Sequence, residues 1–314
     1  MPEFLHARRD FGQLVRVVAD ELRVDPVLVE KDYWLMHCLW GLQAQGLRFE
    51  LKGGTSLSKG FRIIHRFSED IDVRIEPPAS LEVKTGRNQD KAIHIESRRS
   101  FYDWLATELR IPGIVAAERD TAFDDEKMRS GGIRLEYPST LSSLRGVKPG
   151  VLLEVGFDDT APNRPVTISS WAYDAAAARG VSARDNRALD VPCYEPSHTF
   201  VEKLQALSTK YRGLPKTGRL PPNFLRHYYD IYCLLAQPEV LAFIGTPEYE
   251  ARKRQRFRSA DEIVIARNPA FILRDRATRE VFAAEYTRSA ALYYQGQPPF
   301  EDVLGRIREH VARL

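Results

Sequence analysis

The sequence predicts an α+β fold, with a helix-flanked, strand-bearing front part over residues 1–195 and a helical back part over 196–314. Three observations carry the expectation. Apolar residues recur at helical spacing through the first 46 positions. Strand-length runs punctuated by glycine and proline follow, and helical periods return after Pro196. A chain of 314 residues also suits two domains of roughly 150 residues each.

In chain order, Phe11, Leu14, Val15, Val18 and Leu22 mark a first helix. Asp25-Pro26 is an N-cap followed by proline at the first helical position. It opens a second helix whose apolar face carries Trp34, Leu35, Cys38, Leu39 and Leu42. LRFEL (47–51) reads as a strand, KGGTS as a turn, LSKGFRII as one or two helical turns, and DIDVRI (70–75) as an alternating strand stopped by Pro77-Pro78. A helix is expected from about 89 to 109. GIRLEY (132–137), VLLEVGF (151–157) and PVTISSWAY (165–173) are the strand candidates beyond it. HTFVEKLQALSTKY (198–211) and PNFLRHYYDIYCLLA (222–236) are helices, with three more expected before the end.

Composition excludes several classes. With 43% apolar and 28% charged residues the chain can build a core, which argues against wholesale disorder. The net charge of +3 is too small to indicate a nucleic-acid partner, so any basic signal must be local. Cys38, Cys193 and Cys233 lie far apart and form no CxxC pair, which fits a reducing cytoplasm. No apolar run approaches the roughly 18 residues of a membrane span, and MPEFLHARRD lacks the apolar stretch of a leader. The histidines make no HExxH, HxxxH or Cys/His spacing, so zinc chemistry is not expected, and neither GxSxG nor a Walker A sequence occurs.

The chemistry concentrates in KGGTSLSKGFRIIHRFSEDIDVRI (52–75). Gly53 and Gly54 let the backbone turn tightly and present N–H groups to an anion, with hydroxyls from Thr55 and Ser56 beside them. Asp70 and Asp72, two apart on a strand, put both carboxylates on one face, while Ile71, Val73 and Ile75 face a core. Such a pair repels unless a cation sits between, and Mg²⁺ takes hard oxygen ligands of this kind. Lys59, Arg62 and Arg66 precede the acids and suit either triphosphate oxygens or the neighbouring carboxylates as partners. Ser68 joins the acidic face if the strand starts early.

The order of strand, Gly-Gly-Thr-Ser, helix and Asp-x-Asp resembles the nucleotidyltransferase superfamily that includes DNA polymerase beta and kanamycin nucleotidyltransferase. More narrowly, KGGTSLSKGF and RFSEDIDVRI resemble the AbiEii/AbiGii-type nucleotidyltransferase toxins of bacterial toxin–antitoxin and phage-defence (abortive infection) systems. VEKDYWL (29–35), HTFVEKLQAL (198–207) and RHYYDIYCLL (226–235) extend the resemblance over about residues 10 to 236.

The resemblance implies a nucleotidyltransferase-fold mixed sheet with flanking helices, and a helical C-terminal lobe that completes the active-site cleft. It implies an NTP substrate and Mg²⁺ (or Mn²⁺) held by Asp70, Asp72 and a third acid. Glu154 is the candidate for that acid, because a charge inside the apolar strand VLLEVGF is costly unless paired or metal-bound; its rival role is a partner for Arg134. Lys203 is placed on the nucleotide phosphates together with Gly53, Gly54, Thr55, Ser56, Lys59, Arg66 and Ser68. Asp230 is placed in the cleft, orienting Lys203 or Arg226, or else serves as a clamp between helices. Glu30, Lys31 and Asp32 match a family signature but read as helix anchors. The acceptor implied is RNA, tRNA foremost, with a separately encoded antitoxin as partner and no membrane. Lys210, Arg212, Lys216 and Arg219, in an expected loop between the two helical motifs, are the RNA candidates, and ARKRQRFR (251–258) is a second basic run. The alternatives are a small-molecule or protein hydroxyl as acceptor, or a catalytically silent nucleotide-binding module.

Overall fold

A computed structural model describes the chain except for residues 1, 140, 142–143, 145–146, 218–219 and 222, and describes only the backbone of 215–217. The chain divides into two compact units. One comprises residues 1–60 and 67–194, the other 61–66 and 195–314.

The first unit is a seven-stranded mixed sheet with flanking helices. Helix α1 (Phe11–Leu22) ends on Arg23 in the left-handed region, and α2 (Pro26–Ala44) starts where Asp25 accepts a hydrogen bond from the Val27 N–H at 2.9 Å, with Pro26 in the first turn. Strand β1 (Phe49–Lys52) runs into a one-turn helix α3 (Gly53–Thr55) and a π-helical turn over Ser56–Gly60. Then come β2 (Asp70–Ile75), α4 (Ala92–Glu108), β3 (Ala116–Asp120), β4 (Ser130–Glu136), β5 (Val151–Gly156), β6 (Asn163–Ile168), α5 (Trp171–Ala178) and β7 (Ala188–Tyr194). The sheet order is β3-β4-β5-β2-β1-β7-β6. The pairs β2–β5 and β1–β7 are parallel and the others antiparallel. Ile71, Val73, Ile75, Val151, Leu153 and Val155 are fully buried and form the apolar side of the central strands. Tyr102 of α4 covers this side, and Gly131 of β4 leaves room for it: a Cβ there would stand 2.7 Å from the ring.

The expected strand PVTISSWAY is half strand and half helix, because Ser170 caps α5 by accepting from the Tyr173 N–H. The LSKGFRII stretch is helical only to Gly60.

Helix α2 is buried on nearly all sides, which its apolar spacing alone does not demand. Its charged triplet is satisfied internally. Asp32 pairs with Lys59 at 2.8 Å and accepts from the Trp171 N–H, and Glu30 accepts from the Ser139 hydroxyl at 2.5 Å. On another side, Phe4, His6, Tyr33, Trp34, His37 and Trp40 form one aromatic cluster. His37 donates from Nε2 to the Pro112 carbonyl at 2.9 Å, which leaves Nδ1 to accept from the Asn186 amide at 3.0 Å. Burial pushes His37 and His6 down to about 4 from the usual 6.5. The unfolded chain therefore takes up protons near pH 6.5 that the folded chain refuses until about pH 4. Stability is then greatest above that window and falls as the pH drops through it. Thermal midpoints measured from about pH 7 to about pH 5, above the carboxylate range, are expected to decline steadily; a flat profile would contradict this account of the cluster.

The second unit is helical: α6 (Pro196–Thr217), α7 (Arg226–Leu234), α8 (Pro238–Phe243), α9 (Pro247–Arg256), α10 (Pro269–Ile272), α11 (Arg276–Thr287) and α12 (Phe300–His310). Phe200, Leu204 and Leu207 of α6 and Tyr228, Ile231 and Leu234 of α7 lie in its core with Phe271, Phe282, Phe300 and Leu304. The segment 61–66 joins this unit by backbone pairing. Arg66 bridges Tyr293, the Tyr294 N–H donates to the His65 carbonyl, and the Tyr294 hydroxyl donates to the Ile64 carbonyl. Among the described residues no helix is long and apolar enough to cross a membrane.

Candidate active site

In the sheet unit, strand registers assemble the acidic face. Lys52 of β1 lies opposite Asp72 of β2, Asp72 opposite Glu154 of β5, and Glu154 opposite Gly132 of β4. These four form one row across the sheet, with neighbouring strands about 4.8 Å apart. Asp70 sits two residues along, opposite Leu152. Glu154 thus stands beside Asp72 on the same face. Arg134, the alternative partner, lies opposite Leu152 and donates to Asp120 at 2.5 Å.

The turn after β1 is shaped around these acids. Gly53 has φ +75°, and a Cβ on it would lie 2.0 Å from Asp72 Oδ2. Only glycine meets both conditions without displacement. The Thr55 hydroxyl donates to the Asp70 carbonyl at 2.5 Å, tying the turn to β2, and the Ser56 hydroxyl donates to the Gly53 carbonyl at 3.0 Å. Both hydroxyls expected at a phosphate therefore have internal partners. Gly54 is buried in the same turn.

Asp70 Oδ1 is buried without a hydrogen-bond partner. Burial raises the Asp70 carboxyl above the usual range, the Asp72 charge raises it further and Glu69 adds to this, while Lys148 and Lys31 oppose the rise. An unpaired buried carboxylate oxygen is costly unless something arrives to satisfy it. Among the described residues, no three His, Cys, Asp or Glu side chains converge into a ready-made metal cluster. The site offers a carboxylate pair with a third acid in the adjacent register.

Four residues around these acids were not singled out as site residues by sequence reasoning. Lys52 reaches Asp158 at 3.8 Å. Lys31 and Glu69 form a buried pair at 3.8 Å that grips the Lys148 peptide from both sides: Lys31 donates to its carbonyl at 2.6 Å and its N–H donates to Glu69 at 3.0 Å. Burial lowers Lys31 to about 8, against the pull of Glu69 and Asp70. The Lys148 ammonium rests 4.9 Å from the Phe123 ring centre. The only sequence signal for the buried pair was the position of Glu69 next to Asp70 and of Lys31 inside VEKDYWL.

Two candidates from the 52–75 stretch stand apart from the acids. Lys59 is held by Asp32 and lies over the Trp171 ring at 4.7 Å. Ser68 is half-buried and precedes β2, which begins at Asp70, so strand alternation does not extend to it.

In the helical unit, Arg66, Lys203 and Asp230 come together. Arg66 makes two bonds to the Asp230 carboxylate, Nε to Oδ1 and Nη2 to Oδ2, each 2.7 Å, and Lys203 Nζ reaches Oδ2 at 2.7 Å. Asp230 is fully buried. Burial alone would raise its carboxyl, but Arg66 and Lys203 hold it well below the usual carboxylate range.

The basic stretch expected as a loop is a helix as far as Thr217. Lys210 lies 2.9 Å from His227 Nε2, and Arg212 bonds Asp261 at 2.9 Å. The Lys216 side chain and the whole of Arg219 lie outside the described residues. In the second basic run, Arg252 and Arg256 both bond Glu202, Lys253 donates to the Leu314 carbonyl, and Phe257 is buried. Most of that charge serves internal packing.

A family profile described as the nucleotidyl transferase AbiEii toxin, type IV toxin–antitoxin system, matches residues 34–306. Among solved structures, the chain is similar to MenT4, a nucleotidyltransferase toxin from Mycobacterium tuberculosis H37Rv, at 15% identity and a TM-score of 0.50, over 95% of this chain and 88% of that one. An antigenic nucleotidyltransferase-like protein from Paracoccidioides brasiliensis matches more loosely, at 13% identity and a TM-score of 0.37 over 72% of this chain and 87% of that one. No curated protein matches the sequence.

Proposed function

Because the chain belongs to the AbiEii family of nucleotidyltransferase toxins of type IV toxin–antitoxin systems, we propose that it transfers a nucleoside monophosphate from an NTP to an RNA acceptor, tRNA foremost, using Mg²⁺ or Mn²⁺. The observation that carries this reading is the Asp70–Asp72 pair on β2. One buried oxygen there lacks a partner, and a glycine cradle opposite has no room for a Cβ. This donor set suits a hard divalent cation. Asp70 and Asp72 would hold it, with Glu154 as the adjacent acid. Bound there, a divalent cation neutralises phosphate charge.

In the transfer, an acceptor hydroxyl gives up its proton to solvent and attacks the α-phosphorus, the bond to the bridging β-phosphate oxygen breaks, and pyrophosphate leaves. The turn at Gly53 and Gly54 brings backbone N–H groups to the end of β1 as phosphate donors. On the family resemblance, Lys203 is proposed to meet the charge developing on the triphosphate. Thr55, Ser56 and Lys59 have partners within the sheet unit and Arg66 has one within the helical unit; with Ser68 they remain part of the proposed nucleotide-binding set. A separately encoded antitoxin accords with the family's toxin–antitoxin assignment. A cytoplasmic setting accords with the wide spacing of Cys38, Cys193 and Cys233 along the chain.

Incubation of the protein with each α-labelled NTP, Mg²⁺ and total RNA tests the reading. Label in the tRNA band is expected. Label confined to protein or to small molecules would instead favour a non-RNA acceptor.

The RNA candidates Lys210, Arg212, Lys216 and Arg219 remain part of the proposal. Replacing Lys210, Arg212 and Lys216 by Ala should flatten the slope of log affinity against log salt for single-stranded RNA by about two units, at about 0.7 per phosphate. Identical slopes for wild type and triple variant would remove these residues from the acceptor site.

A further inference from the structure

We propose that Arg66 and Asp230 are positioning residues for Lys203, and that Asp230 neither ligates metal nor takes a proton in the reaction. This deepens the proposed function and rests on it. The geometry is that of a strut. Arg66 grips both Asp230 oxygens in a planar fork, and Lys203 completes Oδ2 at the same 2.7 Å. A carboxylate offers about four acceptor positions, and three are filled. Asp230 is fully buried, and Arg66 and Lys203 are almost so, with 5% and 9% of their surface exposed.

To ligate a cation, Asp230 would have to release a bidentate arginine inside a dry interior, where an unpaired guanidinium is strongly disfavoured. As a base it is equally unsuited, because the two cations favour its ionised form. What the arrangement does well is fix an amine. The Lys203 chain has four rotatable bonds, and its ammonium would be repelled by Arg66 were Asp230 neutral. With Asp230 charged, the cluster of two cations and one anion keeps a net positive charge at Lys203.

Arg66 is itself built in. The segment that carries it is tied to the helical unit at His65 by the Tyr229 hydroxyl and the Tyr294 N–H, and at Arg66 by the bridge to Tyr293. An arginine held by its backbone at one end and by a carboxylate at the other gives Asp230 a fixed address. The sequence could not show this, since the two residues are 164 positions apart.

The test compares wild type with K203A, D230N, R66K, and the D230N and R66K changes on the K203A background. All are assayed at a temperature where each is folded. The readouts are transfer rate, the Mg²⁺ concentration for half-maximal rate, and affinity for a non-hydrolysable NTP. K203A is expected to lose about 10²-fold in rate. D230N should lose a comparable amount without moving the Mg²⁺ midpoint, and the K203A/D230N double should fall within about threefold of K203A alone, as residues acting as a unit do.

Multiplied losses in the double variant, or a Mg²⁺ midpoint raised by about 10-fold in D230N, would overturn the proposal. So would full activity of K203A beside a dead D230N. Should D230N fail to fold, R66K keeps the charge but loses the fork. It should reduce activity when Lys203 is present and change nothing further when Lys203 is absent, and a loss in both backgrounds would overturn the proposal. If wild type transfers nothing, the transferase reading fails separately. Non-additive losses of NTP affinity in the same variants would then still support the strut, and additive ones would sink it.

Discussion

Asp70→Asn and Asp72→Asn should each abolish nucleotidyl transfer, by about 10³-fold or more, the equivalent of several kcal/mol of metal-borne charge stabilisation. The thermal midpoint of the metal-free protein should stay where it is or rise. The sign follows from the site. Burial and Asp72 raise the Asp70 carboxyl above its ordinary range. A raised carboxyl contributes stability only while protonated, and that contribution is lost as the pH climbs through the folded-state value. At neutral pH the ionised side chain therefore costs stability, and the amide removes the cost. Calorimetry with and without Mg²⁺ separates the two states: stabilisation by the cation in wild type should vanish in both variants. Full transfer by either variant would refute the assignment.

Gly53→Ala is the second large effect. Its Cβ would fall 2.0 Å from Asp72 Oδ2 at φ +75°, so the carboxylate must move or the turn must open. The strain should cost about 1–3 kcal/mol, and displacement of Asp72 should reduce transfer by about 10²-fold, since a shift near 1 Å is enough for that. Gly46 provides the control. It has the same φ of +75° but nothing within 4 Å of its added Cβ. Gly46→Ala should lose similar stability and keep its activity. Equal loss of activity in both would show that the effect of Gly53 is general strain, not contact with Asp72.

Local chemistry was readable from the sequence where one short stretch decides it. Asp25-Pro26 marked the start of α2, and the alternation in DIDVRI set which side of β2 is acidic. The apolar run around Glu154 identified β5, although only the parallel register of β2 with β5 puts Glu154 next to Asp72. The mixed sheet with flanking helices followed from the family resemblance, because strand order is a long-range property. Strand β3, Ala-Ala-Glu-Arg-Asp, has no apolar alternation and lies at the sheet edge, so its pattern carried no signal. Helix α6 was expected to end near Tyr211, yet it continues to Thr217, through Gly213 and Pro215, residue types that ordinarily interrupt helices. The ion pairs were illegible for a simpler reason: Lys31 with Glu69 and Arg66 with Asp230 are joined by folding, not by spacing.

The route of the chain through residues 61–66 has a consequence for modularity. The helical unit is not a contiguous stretch, since six residues from the front of the chain belong to it. A fragment starting at Glu195 would lack Arg66 and would leave Asp230 buried with Lys203 as its single remaining partner from that trio. It would also lose the chain on which the Tyr229 and Tyr294 hydroxyls find partners. Cutting or grafting at the apparent boundary thus removes an internal part from one piece and leaves a dangling insertion in the other. Recombination can exchange this helical half only together with the loop between the glycine turn and the acidic strand. The helical unit should therefore be engineered together with residues 61–66.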